Sequence, residues 1–155
     1  MHLWFLDSLV SFPVAHADGG DGVSVMDSRA RRGDSPPYHV HTTEDETFHV
    51  VEGELVALVD GELRRARAGD TVLLPKGVPH TYCVVSEEAR WLVVTTNGDF
   101  ERFVRATARP AERDGLPAES GPPTPDQQAA LGELAGRHGI QLIGAPLSVE
   151  TARAA

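Results

Sequence analysis

Histidine and glutamate recur in this chain at spacings that suit metal chemistry. Residues 33 to 53 read GDSPPYHVHTTEDETFHVVEG, with His39, His41 and Glu46 inside, and residues 69 to 84 read GDTVLLPKGVPHTYCV, with His80. A strand sends alternate side chains to one face, so the His-x-His pair aims two imidazoles the same way. The same parity puts Glu46, Phe48 and Val50 on one face and turns His49 to the other. Imidazole and carboxylate suit a borderline divalent metal: Fe, Ni, Co, Mn, Cu or Zn. Four ligands, three neutral and one anionic, leave open positions for substrate or water, as a catalytic metal site requires. Glu44 and Asp45 compete with Glu46 as the acidic ligand; spacing selects Glu46, and the other two read as a solvated turn. On that reading Glu44→Gln should be nearly silent. Val78-Pro79 restricts the backbone just before His80 and holds its ring. His2, His16 and His138 lack ligand spacing.

The elements that must position these residues are strands. From Val23 to Thr96 the chain is a series of short β-prone runs broken by turns. Val56 to Val59 precedes Asp60-Gly61, a strong hairpin signal, and Leu63 to Arg67 follows. Ala68-Gly69-Asp70 is the next turn, before Thr71 to Leu74. Thr81 to Val85 and Trp91 to Thr96 close the series. Short, regular strands with almost no helical periodicity predict an all-β sandwich or barrel. The opening segment also reads as strand. Leu3, Phe5 and Leu9 to Phe12 would cover one barrel end or pair with a second subunit. Ala15-His16-Ala17 mimics a signal-peptidase site, but no Lys or Arg precedes it and Asp7 breaks the apolar stretch, so a leader is not expected.

The two motifs resemble those of the cupin superfamily. The first runs Gly33, five residues, His39, one, His41, four, Glu46, six, Gly53; the second runs Gly69, five, Pro75, one, Gly77, two, His80. The family's second motif ends in Asn four residues after the His, where this chain has Val84; that Asn is not a ligand. The resemblance implies a double-stranded β-helix, the cupin jelly roll, with one divalent metal held by His39, His41, Glu46 and His80. Phe48, Val50, Leu74, Tyr82, Val84 and Trp91 are the expected pocket residues, with Tyr82 and Val84 facing inward by parity from His80. The barrel is expected over residues 1–105, N-terminal strands included.

Residues 106–155 are expected to be an extended arm, a short helix and an apolar tail packing on the same domain. Composition turns rich in Pro, Gly, Glu and Arg over Ala106 to Pro125. Thr124-Pro125-Asp126-Gln127 is a helix start with a capping box, and Gly139 is its stop. The tail GIQLIGAPL needs burial, and Glu150 to Ala155 read as frayed. A single domain with this first motif, an arm and this tail also resembles the bacterial quercetin 2,3-dioxygenase-like monocupins. That implies metal-dependent oxidative cleavage of a flavonol-like or other enolisable aromatic, with Glu46 as proton acceptor and O2 as co-substrate. Two alternatives stay open: a Lewis-acid cyclase or isomerase of polyketide-like molecules, and a non-catalytic binding cupin.

Whole-chain properties bound the rest. At 155 residues the chain is long enough for one sizeable core, and a net charge of -9 disfavours nucleic acid. No apolar run reaches membrane-spanning length. One cysteine, Cys83, gives no internal disulfide and fits a reducing, cytoplasmic setting. A homodimer through the N-terminal segment is the expected assembly.

Overall fold

A computed structural model describes residues 1–19 and 22–155. In chain order its elements are β1 (Leu3–Phe5), β2 (Ser8–Val14), β3 (Ser24–Arg31), β4 (Tyr38–His41), β5 (Glu46–Glu52), β6 (Glu54–Val59), β7 (Glu62–Arg67), β8 (Thr71–Leu74), β9 (His80–Val84), β10 (Glu88–Thr95), α1 (Asp99–Thr107), β11 (Arg109–Pro110), α2 (Pro125–Arg137), β12 (Ile140–Gly144) and α3 (Val149–Arg153). A seven-stranded sheet has the order β11-β1-β2-β3-β10-β5-β8, and a five-stranded sheet the order β12-β4-β9-β6-β7. The two sheets face each other as a jelly roll with short helices attached. Their inner faces meet in one core, where Met26, Phe48, Val50, Val72, Trp91 and Val93 pack against Leu55, Ala57, Val59 and Val84. The alternation on β3 and β10, every second residue buried, is the period-2 pattern that creates this interior.

Local chemistry accounts for the turns. Asp60 and Gly61 both take positive φ (51° and 80°) and close the β6–β7 hairpin with Val59 opposite Glu62, the geometry in which Asp-Gly is favoured. α2 begins as its sequence indicates: Thr124 Oγ1 accepts from the Gln127 amide and Gln127 Oε1 from the Thr124 amide.

Two expectations are corrected, and one open alternative is resolved. α1 was not anticipated; it buries Phe103 and Val104, with Phe100 packed beside them, on one apolar stripe at helical spacing. Residues 150–155 are not simply frayed, because Ser148 caps α3 and Ala152 packs with Leu147, Val56, Cys83 and Val85. The N-terminal strands are used within the chain: β1 pairs β2 on one side and β11 on the other. β1 therefore has no free edge for a second subunit. The arm after α1 wraps back over it, with Trp4 Nε1 donating to the Gly115 carbonyl at 2.7 Å and Leu116 packing on Trp4 and Leu9. The apolar tail forms β12, the neighbour of β4.

The outer face of the seven-stranded sheet carries a row of register partners: Val14, Val25, Val94, Thr47 and Leu73. Leu73 is 53% exposed on the edge strand β8. The sequence placed a homodimer on the N-terminal segment by strand pairing or packing; with the β1 edge filled, we propose that a homodimer instead packs through this row. Leu73→Lys should then move sedimentation from dimer to monomer at micromolar concentration; a monomeric wild type removes the assignment. A second prediction concerns Gly53, at φ 77°, where a Cβ would overlap the Glu88 carbonyl oxygen. Gly61, at φ 80°, has nothing within 4 Å of such an atom. In denaturant titrations Gly53→Ala should cost ~2 kcal/mol more than Gly61→Ala, because overpacking adds to backbone strain.

Candidate metal centre

β4 lies between β12 and β9, and its alternation turns His39 and His41 inward. His80 opens β9 directly opposite His39. The loop before it is tied to β4 by the Gly77 amide, which donates to the His41 carbonyl at 2.8 Å. Glu46 opens β5 across the roll, paired with Leu74 and Thr95. Four sequence-distant side chains therefore converge, and one ligand atom from each lies within 4.8 Å of the others. His39 is 8% exposed, Glu46 3%, and His41 and His80 1% each. Glu46 Oε2 is 3.0 Å from His80 Nε2 and 3.5 Å from His41 Nε2.

Hydrogen bonds orient two of the rings. His39 Nδ1 lies 2.6 Å from the Pro37 carbonyl and His80 Nδ1 3.0 Å from the Val78 carbonyl. Carbonyls only accept, so each Nδ1 carries the proton and each Nε2 lone pair faces the cluster. His41 is different: neither ring nitrogen has a hydrogen-bond partner. A buried imidazole left unpaired is costly, and a cation among the four ligands would satisfy it. The donor set and this orphaned ring together fit one divalent transition metal.

Electrostatics agree with the donor set. Burial alone would raise the Glu46 carboxyl, but His41, His80 and His39 outweigh it and hold the group near 2. Burial pushes His39 down to about 3, with His80 and His41 adding to the effect. Burial also opposes charge on His41, but Glu46 and Glu44 outweigh it and raise that group.

Glu44 overturns the solvated-turn expectation. It is 1% exposed, its Oε1 lies 3.5 Å from His41 Nδ1, and the same oxygen accepts from the Phe100 amide at 2.7 Å. Only Asp45 is exposed, and even its Oδ1 accepts from the Lys76 amide. Glu44→Gln is therefore not a neutral control. The missed signal is Phe100, which heads the helix that covers this turn.

A cavity of about 30 Å³ adjoins Glu46. Of the expected pocket residues, Phe48, Tyr82 and Trp91 line it; Val50, Leu74 and Val84 do not, and all three are fully buried in the core. Parity told inward from outward but not how deep along the strand a residue sits. Phe5, Ser8, Met26, Ser28, Val93 and Phe100 complete the lining. Trp91 Nε1 is buried without a partner. A larger cleft of about 200 Å³ lies elsewhere, lined by Asp7, Arg31, Arg32, Gly33, Asp34, Glu119 and Ser120, with no proposed ligand among them. Asp34 separates the two spaces: its Oδ2 accepts from Tyr82 Oη at 2.9 Å.

Burial raises the Asp34 carboxyl to about 6, against the lowering effect of the Tyr82 hydrogen bond. A group protonated more readily in the fold than in the unfolded chain costs stability once it ionises. That cost is present above about pH 6 and fades as pH falls toward 4. Asp34→Asn should therefore raise the melting temperature at pH 8, and the gain should vanish near pH 4. An equal gain at both pH values would contradict the burial argument.

Comparison with known proteins agrees with the geometry. Residues 29–95 match the family model described as a cupin domain. The chain is 30% identical over 95 residues to quercetin 2,3-dioxygenase of Bacillus subtilis (strain 168), covering 61% of this chain and 28% of that protein's length. An oxalate oxidase structure is 26% identical with a TM-score of 0.51, covering 60% of this chain and 52% of the other. The polyketide cyclase RemF of Streptomyces resistomycificus superposes with a TM-score of 0.51 at 22% identity, covering 57% and 64%; at that identity it supports the fold alone. The motifs, the two-sheet roll and these matches converge: residues 29–95 match a cupin domain, and the chain resembles the bacterial quercetin 2,3-dioxygenase-like proteins.

Proposed function

We propose that this chain is a metal-dependent oxygenase of the quercetinase type, acting on an enolisable hydroxy-ketone aromatic with O2 as co-substrate. The observation that carries the reading is the buried cluster of three histidines and one glutamate opening onto a small aromatic cavity. The 30% identity to a quercetin dioxygenase supports it, over the 28% of that protein's length that this chain spans. A divalent transition metal held by His39, His41, His80 and Glu46 would supply Lewis acidity and, with a redox-active ion, a route to O2.

The chain's own residues do the rest. The Glu46 contacts to His41 and His80 both fall on Oε2, which leaves Oε1 to take the substrate's enol proton. A carboxylate held down near 2 is a weak base in the resting site, so the transfer depends on an acidified substrate hydroxyl within hydrogen-bond reach. Phe48, Tyr82 and Trp91 contact one another edge to face, with centroids 5.2–6.4 Å apart. They offer a planar substrate an aromatic wall and exclude water. Trp91 Nε1, lacking a partner, is a donor for a substrate oxygen.

Cavity volume constrains the size of the substrate rather than the type of reaction. About 30 Å³ holds one or two waters, against the several hundred Å³ of sites for drug-sized ligands. A flavonol enters only if wall side chains move, whereas a compact enolisable substrate fits with less rearrangement. The alternative, Lewis-acid cyclisation or isomerisation of a polyketide-like molecule without O2, meets the same size limit.

The test is O2 uptake by metal-loaded chain with flavonols and with small enolisable hydroxy-ketones, repeated anaerobically. Turnover that needs O2 supports the oxygenase; turnover that survives its removal supports the Lewis-acid reading. No turnover with any substrate leaves a binding cupin. On an active substrate Glu46→Gln should lower kcat by roughly 10²-fold or more, the usual effect of losing a positioned base, with less effect on melting of the metal-free chain. Equal activity in the variant would remove Glu46 from the base role.

A further inference from the structure

We propose that Glu44 is a positioning residue of the metal centre: its carboxylate, standing behind His41 Nδ1, favours the proton there, fixes Nε2 as the metal-facing nitrogen, and joins that ligand to the cavity wall through Phe100. The inference rests on the metal reading above. It begins from a carboxylate that is 1% exposed although it sits in a turn. Burying an ionised group away from partners is costly, so its surroundings must account for it.

Two groups meet it. Oε1 accepts from the Phe100 amide at 2.7 Å, and Oε2 has no partner. Phe100 lies in the first turn of α1, whose amides carry partial positive charge and favour an anion. The second group is His41 Nδ1, at 3.5 Å. His39 and His80 are each oriented by a carbonyl, from Pro37 and Val78. His41 has no such carbonyl, and Glu44 occupies the equivalent place behind its ring. At 3.5 Å the contact is an ion-pair distance, longer than a formed hydrogen bond. A carboxylate behind a ligating imidazole sets its tautomer and increases its basicity more than a carbonyl does.

The arrangement reaches further than one ring. Thr43 Oγ1 donates to Asp99 Oδ2 at 2.7 Å, and the Asp45 amide donates to Thr96 Oγ1 at 3.0 Å. These bonds fasten the segment on both sides of Glu44, to the first residue of α1 and to the loop that leads into it. The Phe100 ring packs edge-on to His41 with centroids 5.5 Å apart and lines the cavity beside Glu46. Ligand, turn and cavity wall therefore share one carboxylate.

A simple helix-capping role is the competing explanation, and metal affinity separates the two. The full-length chain, Glu44→Ala, Glu44→Gln and His41→Ala would be titrated with Zn²⁺ against a chelator. Their Co²⁺-loaded forms would be compared by visible spectrum, and the metal-free forms by thermal melting. Glu44→Ala should weaken Zn²⁺ binding 10- to 100-fold, the range for losing an orienting partner, and shift the Co²⁺ bands. Glu44→Gln keeps an acceptor and should fall between Glu44→Ala and wild type. If Glu44→Ala does not fold, Glu44→Gln decides: weaker Zn²⁺ binding supports the proposal and wild-type binding overturns it. Lower melting temperatures with Zn²⁺ affinity within twofold of wild type would mean a cap only and overturn it. If wild type binds Zn²⁺ no more tightly than His41→Ala, the metal reading itself fails and takes this inference with it; tight wild-type binding that Glu44 variants retain defeats the Glu44 role alone.

Discussion

Glu46 is a carboxylate with almost no water around it, and the rest of the site is organised to make that tolerable. Three imidazoles surround it, and their combined pull outweighs the desolvation that would protonate it. Each imidazole must then have its other nitrogen accounted for, which the Pro37 and Val78 carbonyls do for two of them. The position is demanding on the fold as well. β4 and β9 must meet at His39 and His80, and Glu46 must come from the opposite sheet. A jelly roll supplies this because its two inner faces bring strands distant in sequence to within a side chain's length.

The helices and the tail close around that point. Phe100 and Phe103 of α1, Leu131, Leu134 and Ala135 of α2, and Ile140 and Leu142 of β12 form one cluster with Phe5. Phe100 touches both the cluster and His41. The apolar surface that these elements bury therefore keeps solvent from the ligands, and the packing that stabilises the fold lowers the dielectric around the charges. Among the described residues no helix is long and apolar enough to cross a membrane; the apolar content goes into these contacts instead.

Much of this was legible from residue order, for reasons of periodicity. A two-residue repeat fixes which side chains share a face, which pairs His39 with His41 and turns His49 away, where it meets Thr71; parity leaves Glu44 and Glu46 equivalent, and the motif spacing chose Glu46. The Asp60-Gly61 turn and the Thr124 cap are local and were equally readable. What escaped was decided by contacts between distant segments. Glu44 looks like any acidic turn residue until α1 lies on it. α3, five residues long, is too short to form by propensity alone; Ser148 and the packing of Ala152 hold it. Face was readable at Val50, Leu74 and Val84, but depth was not, since it depends on where the aromatic side chains leave a gap.

β12 has one more consequence. The strand bearing His39 and His41 shares four register pairs with residues 140–144 and only one with β9. Its principal ladder partner is thus synthesised roughly a hundred residues later. During synthesis β4 waits with one edge unpaired while the roll grows. Contacts of such sequence separation form slowly, because the loop entropy falls due before the bonds that repay it. The ladder that fixes the strand of His39 and His41 is therefore complete only when residues 140–144 are in place.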